Sequence, residues 1–246
     1  GLVLNTTNGD HTNTLNNIGV RGQLLYTLSE KTEIRLTADH TRQRPDGYAQ
    51  IFAGVVTTKR KAYRQFENII KDLNYTLPGT NPFDRKVDHD TPWKSNQDLG
   101  GVSLNVESKI GKGTLTSTTA WRYWKWDPSN DRDFTGLEGL ALSQAPSIHN
   151  QWTQEVRYAS TFTSHLSAVF GVFAFAQTLR PDTAHIEEAG KDQWRFSQNT
   201  ESPLWQTPGL MDGYGIRSYP KLNTMSGAIF GQADWEVTRK LHIMPG

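Results

Sequence analysis

The chain has 246 residues, 35% of them hydrophobic, and a mean hydropathy of −0.62. Its 26 basic and 25 acidic side chains leave a formal charge of +1, which argues against a protein that binds nucleic acid through its overall charge. Cysteine is absent, so disulfides, cysteine-based zinc sites and cysteine catalysis are excluded. The longest nearly apolar stretch, 166–176, has the length of a tilted membrane strand and is well short of the roughly 20 residues that a spanning helix needs.

Apolar and polar residues alternate along several long segments of the chain, as they do in β-strands. The segments occur in pairs that are joined by turns of three or four residues, which predicts four β-hairpins. The turns are centred on Glu30, Gly111, Ser164 and Arg239. The predicted strands are 17–28, 32–44, 98–109, 114–127, 151–162, 166–179, 223–237 and a last one from 241 onward.

The connections between the hairpins are long, covering 45–96, 128–150 and 180–222. Loops of this length are uncommon in compact soluble domains, whereas outer-membrane barrels alternate short periplasmic turns with long extracellular loops. The sequence therefore predicts an all-β fold: a segment of an antiparallel transmembrane β-barrel, with the short turns at one end of the strands and the extracellular loops at the other. All of 1–246 is assigned to this one barrel domain.

The faces of the strands can be predicted from charge. Around 154–160, Val156 and Tyr158 are expected to face lipid, while Glu155 and Arg157 point into a polar lumen, where they can pair. A β-sandwich would show the same alternation, so periodicity alone does not separate the two folds.

Aromatic residues crowd the end of the fourth predicted strand, and Trp152 begins the next strand on the same side. This is typical of an aromatic girdle at a membrane interface, and a soluble aromatic cluster is the alternative. Trp124 and Trp126 lie on the same face of the predicted strand as Arg122, because residues two positions apart point to the same side. These three residues are therefore candidates for ligand contact in the upper lumen, where an indole can stack on a flat group and an arginine can pair with an anion.

Within the first long loop, one helical face is predicted from the spacing of five apolar residues, with Thr57 or Thr58 as its cap and 77–79 as its end. Packing of the loop on its neighbours explains that face better than a ligand-contacting helix does. The members of the face are Ala62, Phe66, Ile69, Ile70 and Leu73.

Catalytic and metal-binding motifs are not recognisable. Asp127, Asn130, Asp131 and Asp133 resemble part of a calcium loop, but the required glycine and distal glutamate are missing, which favours a solvated acidic loop. No nucleophile elbow, phosphate-binding loop or HExxH motif is present. We therefore expect neither an enzyme nor a bound cofactor or metal.

Several segments resemble the barrel of TonB-dependent receptors. They are NIGVRGQLLYTLSEKTEIRLTADHT, LTSTTAWRYWKWDPSNDRDFTGL, QWTQEVRYAS, VFGVFAFAQTL and GAIFGQADWEVTRKLHIMPG, in the order and spacing of that family. The resemblance covers most of 17–246. It implies an internal piece of a 22-stranded outer-membrane barrel, whose plug domain and C-terminal strands are absent from these residues.

The resemblance also implies a function and partners. Such receptors take up scarce nutrients such as ferric siderophores, sit in outer-membrane lipid and are powered by the TonB complex through a region that this sequence does not include. Glu155 and Arg157 join Arg122, Trp124 and Trp126 as the candidate ligand-contacting residues. A passive porin and a soluble secreted β-sheet binding module remain as alternatives.

Overall fold

A computed structural model describes residues 1–46, 50–91, 93–196 and 200–246. Fourteen strands are present in these residues: β1 (Val3–Asn5), β2 (His11–Thr12), β3 (Asn17–Ser29), β4 (Thr32–Gln43), β5 (Lys86–Val87), β6 (Lys94–Ile110), β7 (Gly113–Ser129), β8 (Leu140–Gln144), β9 (Ser147–Thr163), β10 (Leu166–Pro181), β11 (His185–Ala189), β12 (Gly215–Ser218), β13 (Leu222–Thr238) and β14 (Leu241–Ile243). The α-helices are α1 (Phe66–Asp72) and α2 (Pro203–Gln206), and short 3-10 helices span Ala62–Arg64, Pro82–Asp84 and Gln193–Phe196.

Seven long strands and the short β14 form one antiparallel sheet in the order β3-β4-β6-β7-β9-β10-β13-β14. Each strand pairs with the next long strand along the chain, so the four short turns lie together at one end, as predicted. The register agrees, since Thr32 pairs with Ser108 and Gly113 pairs with Ser160 beside those turns. The all-β antiparallel fold and its four hairpins are therefore confirmed.

The connections at the other end are shorter than predicted and contain secondary structure of their own. β6 already begins at Lys94, β9 at Ser147, and β7 continues to Ser129. In the second and third connections, β8, β11 and β12 pair with one another and join the main sheet through Ser129 and Gln144. In the first connection, β5 pairs with the N-terminal strand β1, which also pairs with β2.

The strand register divides the sheet into an apolar and a polar face, because directly paired residues point to the same side. One row of paired residues on the apolar face is Tyr26, Ile34, Val106, Ser117, Val156, Val172 and Ile229. The neighbouring row on the polar face is Leu25, Arg35, Asn105, Thr118, Glu155, Phe173 and Ala228. Val156 and Tyr158 thus lie on the apolar face and Glu155 and Arg157 on the polar one, which is the predicted parity.

The buried hydrophobic residues lie outside the long strands. They are Val3, Ile69, Val87, Leu137, Ala184 and Ala189, all in the N-terminal segment or the three connections. On the apolar face of the sheet, by contrast, Leu24, Phe170 and Ile229 are exposed. Among the described residues no second layer covers this face, which is unlike a soluble sandwich and leaves an apolar surface that needs a nonaqueous partner.

The helix in the first connection is shorter than the sequence predicts. A 3-10 turn ends at Arg64, and α1 begins only at Phe66, with Gln65 as its N-cap residue. Thr58 does not cap the helix, because its amide and hydroxyl groups donate hydrogen bonds to the side chain of Gln65 instead. The helix ends at Asp72, before Asn74 turns into a left-handed conformation with φ 52°. The predicted cap and end are therefore wrong, although Ile69 is buried, as the packing interpretation requires.

None of the helices in the described ranges is long and apolar enough to cross a membrane.

A buried arginine joins the first connection to the third. Arg195 is 2% exposed, donates to Asp72 of α1 through Nε over 2.8 Å, and donates to the carbonyl oxygen of Tyr63 over 2.8 Å. A hydrogen bond to a charged group contributes about 1.5–3 kcal/mol. We therefore expect Arg195→Met to loosen these two connections, seen as faster limited proteolysis of the folded protein. Arg132→Met is the matched control, since Arg132 and its partner Glu187 are both exposed, and equal protection of both variants would contradict this role.

Candidate ligand-binding site

The five residues predicted to contact a ligand all lie on the polar face. On β7, Arg122 pairs with Gln151, Trp124 with His149 and Trp126 with Ser147. On β9, Glu155 pairs with Thr118 and Arg157 with Thr116. The register places all five residues on the same side of the sheet, so they lie on the polar face, as predicted. Contact with a ligand remains a prediction.

Four of these five residues form two separate groups, and Arg122 lies between the groups on β7. Thr118, the partner of Glu155, precedes Trp126 by eight residues on β7. At about 3.3 Å per residue, the two positions are roughly 26 Å apart along the strand. Glu155 and Arg157 lie toward the short turns and are 4.0 Å apart between Oε1 and Nε, which makes a weak ion pair. The tryptophans lie at the loop end, so one small ligand cannot touch both groups at once.

The aromatic residues of β7 also separate, into two clusters on opposite faces of the sheet. On the apolar face, Trp121 stacks on Tyr123 with ring centres 5.3 Å apart and lies 6.3 Å from Trp152. On the polar face, Trp124 and Trp126 stack with centres 5.4 Å apart and planes 14° apart. The aromatic residues of β7 therefore form two clusters, and the one on the apolar face, with Trp121 and Tyr123, is placed as an interfacial girdle would be.

The two tryptophans of the polar face are held by hydrogen bonds to β6. Nε1 of Trp124 donates to Oε1 of Gln97, and Nε1 of Trp126 donates to Oγ of Ser95, both over 3.0 Å. A buried or half-buried indole N–H usually has such a partner. With their N–H groups already bonded, these rings can offer a ligand stacking contact but no free donor.

Arg122 already has an anionic partner. Its guanidinium reaches across β6 to the carboxylate of Asp39 on β4, with an Nη1–Oδ1 distance of 2.5 Å. Gly101 lies between them in the register, and a Cβ at this position would be 2.2 Å from the carbonyl oxygen of Trp121 and 2.7 Å from Cδ of Arg122. Since Asp39 compensates the charge, an anionic ligand would have to compete with it. Direct binding of a ligand anion by Arg122 remains a prediction.

The close packing at Gly101 leads to a prediction about stability. We expect Gly101→Val to displace Arg122 and to destabilise the folded protein by about 1–3 kcal/mol, as overpacking does. Denaturant unfolding of the full-length protein in lipid vesicles measures this. Gly22→Val is the control, because a Cβ at Gly22 would meet no other atom within 4 Å, and an equal loss in both variants would contradict the close packing at Gly101.

A cavity of about 410 Å³ opens beside Trp126, between the end of β7 and the strands β8, β11 and β12. Its walls combine the indole with Ile186 and Ile216 and with the polar side chains of His185 and Glu187. His185 is held by a 3.2 Å hydrogen bond between its Nε2 and Oγ of Ser147, and Glu187 pairs with Arg132. A mixed apolar and polar lining of this kind is typical of a small-molecule site.

Sequence reasoning found only Trp126 among these lining residues. The others come from strands inside connections that were read as loops, where no periodicity long enough to detect was present. The prediction of a solvated acidic loop is also wrong for Asp131, which is 1% exposed. Asp133 is partly buried beside it, and both approach Asp90 from the first connection.

Comparison with known proteins gives a fold but no family. No family model matches the sequence, and no curated protein matches it significantly. The crystal structure of the ferric yersiniabactin uptake receptor FyuA from Yersinia pestis is similar over 99% of this chain, with a TM-score of 0.54 and 12% identity. The structure of the RagAB peptide transporter aligns over 90% of the chain and 26% of its own, with a TM-score of 0.48 and 13% identity.

The likeness to FyuA defines the class of fold. At 12% identity it shows the fold alone, which is that of an antiparallel β-barrel segment with large connections at one end. The chain spans 39% of the length of that receptor. The open edges of the sheet at β3 and β14 agree with a segment of a barrel wall.

Proposed function

We propose that this chain is part of the wall and the extracellular loops of an outer-membrane receptor that takes up a scarce nutrient in a TonB-dependent manner. The nutrient class is a ferric siderophore, a chelate of the kind named for FyuA. The partners are outer-membrane lipid, the TonB complex and the chelate, and the proposal assigns no catalysis to the chain.

The observation that carries this proposal is the division of a single-layered sheet into an apolar and a polar face. From Leu115 to Tyr123 the apolar face of β7 covers nine residues, close to the roughly 9–11 residues of a tilted transmembrane strand. Beyond Tyr123 the same face carries Lys125, which pairs with Asp182, and Asp98, which pairs with Arg44. Charged residues therefore begin where an aromatic row ends, as expected at a membrane interface.

The ligand site is proposed in the cavity beside Trp126. Its indole offers a flat, partly apolar surface for the ring of a chelating group, and Ile186 and Ile216 extend that surface. His185 and the Glu187–Arg132 pair supply polar contacts that fix orientation. The connections place this cavity at the end of the strands opposite the short turns, which is the extracellular end in the proposed orientation.

The proposal is tested with the full-length gene that encodes this chain. Deleting the gene is expected to abolish uptake of radioactive iron presented as the siderophore from the organism's own iron-starved medium, and the wild-type gene should restore it. Collapse of the proton gradient or deletion of TonB should abolish the restored uptake. Uptake that survives both treatments would indicate a passive porin, and full-length protein that stays soluble without detergent would indicate a secreted binding module. Either result would overturn the proposal.

A further inference from the structure

Three aspartates from two connections meet at the loop end of the sheet. Asp90 precedes β6, and Asp131 and Asp133 follow β7. Because Lys94 pairs with Ser129, the segments that flank these two strands are held side by side. One carboxylate oxygen from each of the three aspartates lies within 4.8 Å of the other two.

Two of the carboxylates have an oxygen without a hydrogen-bond partner. Asp131 is 1% exposed; its Oδ1 accepts a hydrogen bond from the amide of Phe134 over 2.8 Å, while its Oδ2 is buried and unpartnered. Asp133 is partly buried, and its Oδ1 accepts hydrogen bonds from the amide and hydroxyl groups of Thr135. Its Oδ2 is buried without a well-formed hydrogen bond, although the amides of Gly139 and Leu140 approach the carboxylate. Buried carboxylate oxygens are rarely left in this state, because desolvation without compensation is costly.

No side-chain cation in the described part of the chain forms an ion pair with the cluster, although Lys191 lies close enough to Asp90 for their charges to interact. Within the described part of the chain, the ion pairs involve none of the three aspartates. Three carboxylates whose oxygens lie within 4.8 Å of one another repel each other when they are charged. A bound cation would compensate this repulsion.

A glycine leaves room at the cluster. A Cβ on Gly139 would lie 2.7 Å from Oδ2 of Asp133, so any larger residue would push on this oxygen. The carboxylate of the neighbouring Asp88, by contrast, has hydrogen-bond partners on both oxygens. It accepts from the hydroxyls of Thr7 and Tyr75, over 2.6 and 2.7 Å. Among the acids that the structure describes, the buried unsatisfied oxygens are thus confined to the cluster of Asp90, Asp131 and Asp133.

We propose that Asp90, Asp131 and Asp133 bind a calcium ion that joins the first and second connections. Carboxylate oxygens are the ligands of hard cations, and calcium accepts an irregular set of them at 2.3–2.6 Å, as loops provide. Magnesium requires near-ideal octahedral geometry and keeps several waters, so it usually takes only one or two carboxylates. Three converging carboxylates, one buried and two partly buried, therefore favour calcium. Because Asn130 lines the Trp126 cavity, the ion would fix one wall of that cavity.

Calcium binding is measured on the full-length receptor in detergent after chelator treatment. Isothermal titration with calcium chloride should show one calcium ion fewer per chain for Asp131→Asn and for Asp90→Asn than for wild type. If the ion still binds, its affinity should be about tenfold lower or weaker still. Asp212→Asn, which removes an exposed acid from the same end, is the control and should bind like wild type.

Thermal unfolding separates metal binding from a structural role. In chelator, Asp131→Asn should unfold at or above the wild-type temperature, because it removes repulsion among the acids. In calcium, wild type and Asp212→Asn should gain stability through this site, and Asp131→Asn should gain less. Unchanged calcium binding in both Asp131→Asn and Asp90→Asn, or an equal response of wild type to magnesium, would overturn the proposal. These readouts involve no siderophore, so they stand or fall separately from the uptake function.

Discussion

Replacing Val156 with arginine should lower the yield of folded barrel far more than replacing its neighbour Arg157 with glutamine. Val156 lies in a row of apolar residues that runs across the sheet through Val106 and Val172, whereas Arg157 lies on the polar face. A lysine or arginine that faces lipid near the middle of the bilayer costs about 2–4 kcal/mol. Refolding of the full-length protein into lipid vesicles, followed by heat-modifiable gel mobility, measures the folded fraction.

Arg157→Gln controls for the change of charge at the same height of the same strand. Its own pairing with Glu155 spans 4.0 Å between half-exposed groups, so little stability is lost with it. If the two variants folded with equal yield, the apolar face would not be the lipid-facing one.

If the cavity beside Trp126 binds a ferric siderophore as proposed, truncating Trp126 to alanine should weaken that binding about tenfold. An aromatic stacking pair contributes about 0.5–1.5 kcal/mol beyond the area that it buries, and Trp126 forms a wall of the cavity. Intrinsic fluorescence quenching of the full-length receptor in detergent, titrated with the purified ferric siderophore, gives the affinity. Trp121→Ala is the matched control, since it removes the same ring from the same strand on the opposite face.

The double variant Arg122→Ala with Trp124→Ala tests how far the site extends along β7. Arg122 pairs with Asp39 and Trp124 lies outside the cavity lining, so its effect should be smaller than that of Trp126→Ala. Unchanged affinity in both Trp126→Ala and the double variant, with the barrel folded, would remove this strand from the binding site.

The hairpins could be predicted because their information is local. A strand of 12 to 17 residues with period two, followed by a short turn, fixes both its pairing and its facing. Val156 therefore lies on the apolar face, as predicted, and Glu155, Trp124 and Trp126 lie on the polar face.

The loop end could not be predicted because its contacts join distant parts of the chain. Asp90 meets Asp131 only because Lys94 pairs with Ser129, and an isolated aspartate before a strand carries no metal-ligand spacing. The lining strands β8, β11 and β12 are four or five residues long, too short for their periodicity to be distinguished from loop sequence.

The environment of Arg122 could be predicted only in part. Its face follows from its parity on β7, but its partner Asp39 lies two strands away and is reached only because Gly101 has no side chain. A contact that depends on a gap in an intervening strand leaves no signal in the spacing of either residue.

Spin-label accessibility along β9 tests the assignment of this sheet to a membrane barrel. Since the chain contains no cysteine, single cysteines can be placed from 153 to 158 and labelled in full-length receptor reconstituted in lipid vesicles, with any cysteine outside this chain removed. We expect labels at 154, 156 and 158 to collide with lipid-soluble oxygen, and labels at 153, 155 and 157 to favour a water-soluble nickel chelate. Accessibility to the nickel chelate at all six positions, without alternation, would contradict a lipid-facing wall.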